Sequence, residues 1–376
     1  MKKLNIFLLL SMLLLLAMPI GVWGASAGGT ATGAKLPDYK TVVTKTIDST
    51  SGDFSSSLSK YLSEAAQKAS KTTQYKIVIS PGTYTARYWQ NVPSNTWIYA
   101  KGATIQALKG KQRMVLLTNQ SIGKSTENIV IEGGTWDTTT QSVNDSPETA
   151  PFRFAHTKNL AFKDMIIKCN RKSHLIEVSD INGMTIEGCK ISGNDGCTDV
   201  QPKEAIQLDV ATKPAMVNMT PYNGKGCHNI LIQNNSFNKV ARGVGSHNEM
   251  TSDVESNPYT QVTVRNNTFK NLKGEAIYIK WWKSCTVEKN TVQNGTRAGV
   301  FMESSSKVKI ANNNIRKIKA FTGARKKTYG AATAGIILRN CNSNSIQRNV
   351  VSQCKGEVVR TELAGKGNSI KNNKKK

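Results

Sequence analysis

A short pattern of apolar and polar positions recurs six times in the middle and late parts of the chain. The segments begin at residues 176, 206, 244, 277, 300 and 336. In five of them the first and third positions are apolar and the fourth is polar. Because residues two apart point to the same side of a β-strand, each segment predicts a strand with one buried side.

A second recurring strand ends in asparagine. Its asparagines are Asn235, Asn267, Asn290, Asn313 and Asn349, which follow one another after 32, 23, 23 and 36 residues. The shortest interval is about one turn of a solenoid, and the longer ones are a turn with a loop inserted. We therefore predict an all-β chain folded as a single-stranded right-handed parallel β-helix, with rungs about 4.8 Å apart.

The role of these asparagines stays open at this stage. Inside the solenoid, each amide could pair with its copies on the rungs above and below. In a turn, asparagine would instead be chosen because it tolerates the left-handed backbone conformation. The sequence favours neither interpretation.

The chain divides into four predicted parts. Residues 1–24 have the basic start, the apolar stretch and the small residues of a secretory signal peptide. Residues 25–45 are predicted as a linker, 46–370 as one β-helix domain and 371–376 as a basic tail. A helix over about 53–70, with Asp53 as N-cap, is expected to cap the solenoid. We expect a secreted monomer with no transmembrane segment.

Seven cysteines without a Cys-x-x-Cys spacing argue against a metal knuckle. We expect most of them to be buried, and a disulfide between Cys341 and Cys354 stays open. The sequence predicts no metal ligand set.

The charge is strongly positive, with 51 Lys and Arg against 25 Asp and Glu and a formal net charge of +26. Such a surface attracts polyanions, and for an exported protein acidic polysaccharide is a better candidate than nucleic acid. Alternatively, the charge only holds the protein on a negative cell wall.

Aligning the six segments places one polar residue of each in a single column. The column consists of Ser179, Asp209, His247, Lys280, Glu303 and Arg339. We predict an external polar groove there. A second alignment at the strand starts joins Glu204, Arg242 and Glu275, which we interpret first as a structural charge ladder and second as a substrate contact.

The chain resembles the pectate-lyase and polygalacturonase superfamily of right-handed β-helices over about residues 40–370. The resemblance rests on the capping helix, the turn Pro81-Gly82-Thr83-Tyr84 and the asparagine-bearing coils. It implies a carbohydrate-active protein. Polygalacturonases carry a Gly-His-Gly turn and, about thirty residues later, an Arg-x-Lys strand. Gly245-Ser246-His247 and Tyr278-Ile279-Lys280 stand at a similar separation, with Ser246 in place of the central His and Tyr278 in place of the Arg. Asp195 and Asp199 faintly resemble a calcium-binding aspartate cluster, so Ca²⁺ stays open and no other cofactor is expected.

These observations favour cleavage of an acidic polysaccharide by β-elimination. His247 is the predicted base, oriented by Asp209, and Tyr278 the proton donor; Lys280, Arg242 or Arg339 would supply the cation beside the uronate carboxylate. The predicted substrate contacts are Glu177, Gln207, Trp281, Glu303, Arg339 and Glu204.

Two alternatives stay open. Glu177 and Asp209, on the order of 8 Å apart, would suit an inverting hydrolase, whereas Asp209 and Glu303 would lie near 14 Å. The other alternative is a cell-surface protein that binds glycans without cleaving them.

Overall fold

The structure is a computed structural model that describes residues 27–110, 115–140, 150–169, 173–197, 200–246, 250–363 and 365–376. Within them the chain is an all-β right-handed parallel β-helix, as predicted. The paired strands run parallel and form one sheet of 21 strands and one of 11. The predicted signal peptide, His247 and Asp199 lie outside the described residues.

The elements of the first half are β1 Thr41–Ile47, α1 Phe54–Lys68, β2 Thr73–Ile79, β3 Gly82–Ala86, β4 Gln90–Asn91, β5 Thr96–Tyr99, β6 Ala103–Ala107, β7 Leu117–Thr118, a 3₁₀ turn Gln120–Ile122, β8 Thr126–Glu132, β9 Thr135–Asp137, β10 Phe152–Lys163, β11 Ile166–Lys168, β12 Ile176–Glu187 and β13 Lys190–Ser192. Those of the second half are β14 Glu204–Asp209, β15 Cys227–Gln233, β16 Ser236–Asn238, β17 Arg242–Gly245, β18 Tyr259–Arg265, β19 Thr268–Lys270, β20 Ile277–Lys280, β21 Trp282–Lys283, β22 Thr286–Glu288, β23 Thr291–Thr296, β24 Ala298–Glu303, β25 Lys309–Ala311, β26 Asn314–Lys319, α2 Gly323–Tyr329, β27 Ala334–Arg339, β28 Ser345–Gln347, β29 Val350–Cys354, β30 Glu357–Glu362, β31 Ser369–Lys371 and β32 Lys374–Lys375.

Helix α1 closes the N-terminal end of the solenoid. The Asp53 carboxylate accepts a hydrogen bond from the Ser56 backbone N–H at 2.9 Å, which is the predicted N-cap. Phe54, Leu58 and Leu62 are buried against the first rungs. The helix therefore covers apolar side chains that the end of the stack would otherwise expose to water.

The six predicted segments stack in the predicted register. In the larger sheet the first apolar residue of each segment pairs with that of the next: Ile176, Ile206, Val244, Ile277, Val300 and Ile336. All six are buried. The intervening side chains consequently lie on the outer face of the sheet.

The asparagine column is an interior ladder. Asn267, for example, accepts at Oδ1 from the Asn235 amide at 3.0 Å and donates from Nδ2 to Asn290 Oδ1 at 3.1 Å. Its backbone N–H donates to the same Asn290 oxygen. The left-handed backbone belongs to the preceding residue, as at Asn266 with φ 54°. Turn chemistry and amide pairing are therefore divided between neighbouring positions.

Described residues on both sides of the predicted domain pack on it. Residues 28–35, within the predicted linker, lie across several rungs and form what we call the strap. Lys307 O accepts from Gly28 N at 2.7 Å, and Asn229 Oδ1 accepts from Thr32 N at 2.7 Å. At the other end, the predicted tail supplies β32, so the solenoid continues through Lys375.

The seven cysteines are buried and free, including Cys341 and Cys354. Burial raises the pKa of the Cys341 thiol to about 11. None of the described helices is long and apolar enough to cross a membrane.

Candidate functional site

The predicted polar residues form a column on the outer face of the larger sheet. Lys280 pairs in register with Glu303, Glu303 with Arg339 and Arg339 with Glu362. All four residues are partly exposed. We call these four positions the outer trough. Towards the N-terminus the same column continues through Asp209 and Ser179, which are buried.

Glu362 was missed by the sequence reasoning although its segment carries the same signal. Val359-Arg360-Thr361-Glu362 is a seventh copy, with Thr361 at the third position. Arg339 Nε donates to Glu362 Oε2 at 3.0 Å, and Arg360 Nε donates to Oε1 at 3.1 Å. Glu362 therefore balances much of the charge of Arg339 at this end of the trough.

A loop over residues 210–226, the covering loop, closes the column beyond Asp209. Its base is pinned where Ala211 N donates to Lys225 O and Gly224 N to Ala211 O. Met216 and Met219 pack on Ala155, the neighbour of Ser179 in the column. The column is consequently covered over these rungs.

Two predicted substrate contacts lie on these covered rungs. Glu177 accepts from Arg153 Nε at 2.6 Å, with both side chains buried. Arg153 also donates to Val217 O of the covering loop at 2.6 Å. Gln207 has no exposed surface, and its amide donates to Asp209 Oδ2 at 3.2 Å. In this structure neither Glu177 nor Gln207 can contact a ligand in the trough.

A histidine and an aspartate anchor the covering loop. His156 Nδ1 lies 2.7 Å from Asp180 Oδ2, and the same oxygen accepts from Asn223 Nδ2 at 2.7 Å. Burial by itself would raise the Asp180 pKa, but the hydrogen bonds from His156 and Asn223 outweigh it and the net shift is downward. The anchor thus favours the ionised carboxylate.

The alignment at the strand starts is a buried charge ladder, the first of the two interpretations above. Arg242 donates from Nη1 to Glu204 at 3.1 Å and from Nε to Glu275 at 2.7 Å. Arg297 donates to the other Glu275 oxygen at 3.1 Å. Arg242 and Glu204 have no exposed surface. This burial argues against the catalytic role predicted for Arg242 and the substrate contact predicted for Glu204.

Tyr278 is held between a cation and a second ring. The Arg242 guanidinium lies 3.8 Å from its ring centroid, and Phe301 stacks on it at 5.0 Å. Burial, as the largest cause, raises the Tyr278 pKa. A raised pKa makes the phenol a weaker proton donor. Tyr278 also keeps only 7% of its surface and packs in a buried cluster with Phe301 and Ile337, which argues against the predicted role as proton donor.

The two tryptophans of the adjoining turn differ in position. Trp282 is fully buried and donates from Nε1 to Ser246 Oγ at 2.8 Å. Trp281 is partly exposed at the end of the Lys280 strand. Trp281 accordingly stays a predicted sugar contact.

No group of three His, Cys, Asp or Glu suited to a metal ion occurs in the described part of the chain. Asp195 lies in a partly buried turn. Calcium binding stays a prediction.

Comparisons with known proteins agree with this architecture. A family described as "Periplasmic copper-binding protein (NosD)" matches residues 203–374, which is less than half of the chain. The "Plasmin and fibronectin-binding protein A" of Streptococcus pneumoniae is 22% identical over 198 residues. The match covers 41% of this chain and 27% of that protein, so the chain spans about a quarter of its relative's length.

Two solved structures carry the fold comparison. The S. pneumoniae surface protein and adhesin PfbA superposes with a TM-score of 0.59 at 17% identity, covering 86% of this chain and 96% of that one. The fold is a parallel β-helix. The tailspike of E. coli bacteriophage HK620, solved with a pentasaccharide, gives 0.55 at 12% identity and covers 85% and 63%. The superfamily resemblance is confirmed for the fold.

The described residues do not present a copper site. The cysteine thiols that a soft metal prefers are buried. His156, His174 and His228 each have a ring nitrogen in hydrogen-bonding contact with a protein group. The described part of this chain therefore gives no basis for deriving copper chemistry.

Proposed function

We propose that this protein is an exported carbohydrate-active β-helix that binds an acidic polysaccharide along the outer trough and cleaves it by β-elimination. The supporting observation is the register that places Lys280, Glu303 and Arg339 on successive rungs of a partly exposed face. Rungs about 4.8 Å apart are comparable in spacing to successive sugar residues of an extended glycan. A polymer lying along the stack would thus meet one side chain per sugar.

The charge favours an acidic polymer. Lys280 would approach a uronate carboxylate, whereas Arg339, two rungs or about 10 Å away, is already paired with Glu362. The remaining surplus of Lys and Arg, within a net charge of +26, would attract a polyanion over longer distances. Affinity that falls with rising salt follows from this arrangement.

The reaction would use groups near Lys280. A base removes the proton at C5, the electron pair forms the C4=C5 double bond, and the C4–O bond breaks. The Lys280 ammonium would stabilise the charge that develops on the uronate carboxylate, and a water molecule would donate the proton to the leaving oxygen. His247 lies outside the described residues. It stays the proposed base because an imidazole side chain can accept a proton near neutral pH.

Hydrolysis has less support among the described carboxylates. Glu177 is buried and paired with Arg153, so it is not available as a partner for Asp209. Asp209 and Glu303 are three rungs apart, near 14 Å, beyond the separation that glycosidases use. We therefore place elimination ahead of hydrolysis.

The test is an activity screen on plant, algal, host and bacterial polysaccharides, read by the ultraviolet absorbance of unsaturated uronate and by reducing ends. We expect absorbance with wild type, and its loss with Lys280→Ala and His247→Ala. Lys270→Ala, an exposed lysine on the smaller sheet, is the control and should keep activity. Reducing ends without absorbance would contradict elimination.

A second candidate is glycan binding without cleavage at the cell surface. It is favoured by the likeness to the pneumococcal surface adhesin, of which this chain covers 96%. It predicts that an acidic polysaccharide is retained on the immobilised protein while neither reducing nor unsaturated ends form.

A further inference from the structure

Two large aromatic side chains lie exposed beside the capping helix. Tyr88 and Trp89 each retain 42% of their accessible surface. Exposed aromatic rings that border a cavity are a common mark of a binding site, because ligand contact removes their apolar faces from water. Both rings line an open pocket of about 370 Å³ between α1 and residues 88–93.

The walls of the pocket are anchored. The Tyr88 hydroxyl lies 3.3 Å from Ser56 Oγ of α1. Gln90 donates from Nε2 to Ser55 O at 2.9 Å and, with Asn91, forms β4 within the larger sheet. Tyr88 and Trp89 lie in the short segment between β3 and β4, and these bonds tie that segment to α1 and to the sheet. A ligand would therefore have less of the site to order.

No residue lining this pocket is charged, although a fifth of the chain is Asp, Glu, Lys or Arg. The polar groups are hydroxyls and amides, from Ser59, Ser63, Tyr88, Gln90 and Asn91, and the other lining residues are apolar. Two basic residues are next in sequence to lining residues. Arg87 is paired with Asp53 at 2.7 Å, and Lys60 Nζ lies 5.8 Å from the ring centroid of Tyr61, which does not line the pocket.

From these features we infer that the pocket is a subsite for a neutral sugar. A pyranose ring presents C–H groups on its faces and hydroxyls on its rim. Trp89 and Tyr88 would contact the faces, and the hydroxyl and amide groups would bond the rim. A uronate would lose its hydration here without meeting a cation.

The subsite is separate from the outer trough. Strand pairing leads from Asn91 through Thr118, Arg153, Glu177, Gln207 and Gly245 to Tyr278, on the rung of Lys280, which is six rungs or about 29 Å. The covering loop lies over the rungs of Arg153 and Glu177. The inference therefore does not depend on the proposed lyase activity.

Binding of cellohexaose, maltohexaose and chitohexaose to the full-length mature protein tests the inference, by saturation-transfer NMR and calorimetry at low and at high sodium chloride. We expect wild type to bind at least one of the three with an affinity that salt does not change. Trp89→Ala should weaken that binding about tenfold or more, which is about 1.4 kcal/mol.

Tyr222→Ala is the matched control, because Tyr222 is an aromatic residue with 38% exposure on the covering loop. It should bind as wild type. The inference is overturned if none of the three sugars binds wild type, or if Trp89→Ala and Tyr222→Ala bind equally well. It is also overturned if wild type self-associates and Trp89→Ala abolishes the association, because the two rings then serve a contact between copies.

Discussion

Arg242 donates from Nε to Glu275 Oε2 over 2.7 Å, and neither side chain has any exposed surface. A second carboxylate, Glu204, accepts from the same guanidinium at 3.1 Å. Removing one member of a buried ion pair is far more costly than removing an exposed one, since the partner stays in the interior without its counter-charge. Arg242 is therefore a structural residue in this protein.

Replacing Arg242 with leucine should destabilise the fold. We expect the free energy of unfolding to fall by about 3–5 kcal/mol, because Glu204 and Glu275 lose the cation between them. Chemical denaturation followed by circular dichroism measures this. Arg316→Ala, at an exposed arginine of β26, should change stability little. Arg242→Leu with wild-type stability would contradict the structural role.

Replacing Asn267 with alanine should interrupt the interior ladder. Its Oδ1 accepts from the backbone and side-chain amides of Asn235, and its Nδ2 donates to Ile232 O and to Asn290 Oδ1. Buried groups left without partners should lower the free energy of unfolding by about 2–4 kcal/mol. Thermal and chemical unfolding measure the loss. Asn238→Ala, at an exposed strand position, should cost much less; equal losses would argue against a special role for the ladder.

The strap should require glycine at residue 33. Gly33 has φ +74°, and a Cβ there would lie 2.3 Å from Thr185 Oγ1. Gly52 has nearly the same φ, +75°, with open space around it. Gly33→Ala should therefore speed hydrogen exchange of residues 28–35 by loosening the strap, whereas Gly52→Ala carries only the backbone cost of about 1 kcal/mol. If the amides of residues 28–35 exchanged equally slowly in both variants, the strap would not be packed closely at Gly33.

The covering loop should loosen in acid. The Asp180 pKa is lowered in the folded state, so this group's contribution to stability is complete above the unfolded value of about 3.9 and is lost as the pH falls through the folded value. Besides His156 and Asn223, the positive charge of Lys225 acts on this carboxylate.

Cleavage of the covering loop by pepsin should therefore accelerate as the pH falls from about 4 to about 2, beyond the intrinsic pH response of the protease. Asp180→Asn removes the titrating group and should abolish that extra acceleration. A loop cut equally at all these pH values in wild type would show that the anchor does not control it.

Much of the fold could be predicted from the sequence because a parallel β-helix pairs residues that occupy the same position in successive copies of the repeat. Aligning Ile206, Val244 and Ile277 on their apolar character is the same operation as pairing them in a sheet, and the structure confirms the pairs. The capping helix was predicted over about 53–70 and is observed over Phe54–Lys68, since helical spacing and an N-cap are local signals.

The candidate site was predictable only as a column. Asp209, Lys280, Glu303 and Arg339 lie on the outer face because each is the fourth residue of its segment. That position does not indicate what covers the face. An insertion between strands, such as residues 210–226, contributes no periodic signal of its own. The burial of Glu177 beneath it could not be foreseen from the Glu177 segment.

By itself, then, the sequence determined the solenoid, its register and the outward column, because these depend on a periodicity that repeats every rung. Tertiary structure alone decided which members of the column meet solvent. It also decided that Arg242 would be enclosed by Glu204, Glu275 and Tyr278, and that Tyr88 and Trp89 would border a pocket free of charge. Those outcomes depend on contacts between segments far apart in the chain, and a local sequence pattern does not predict such contacts.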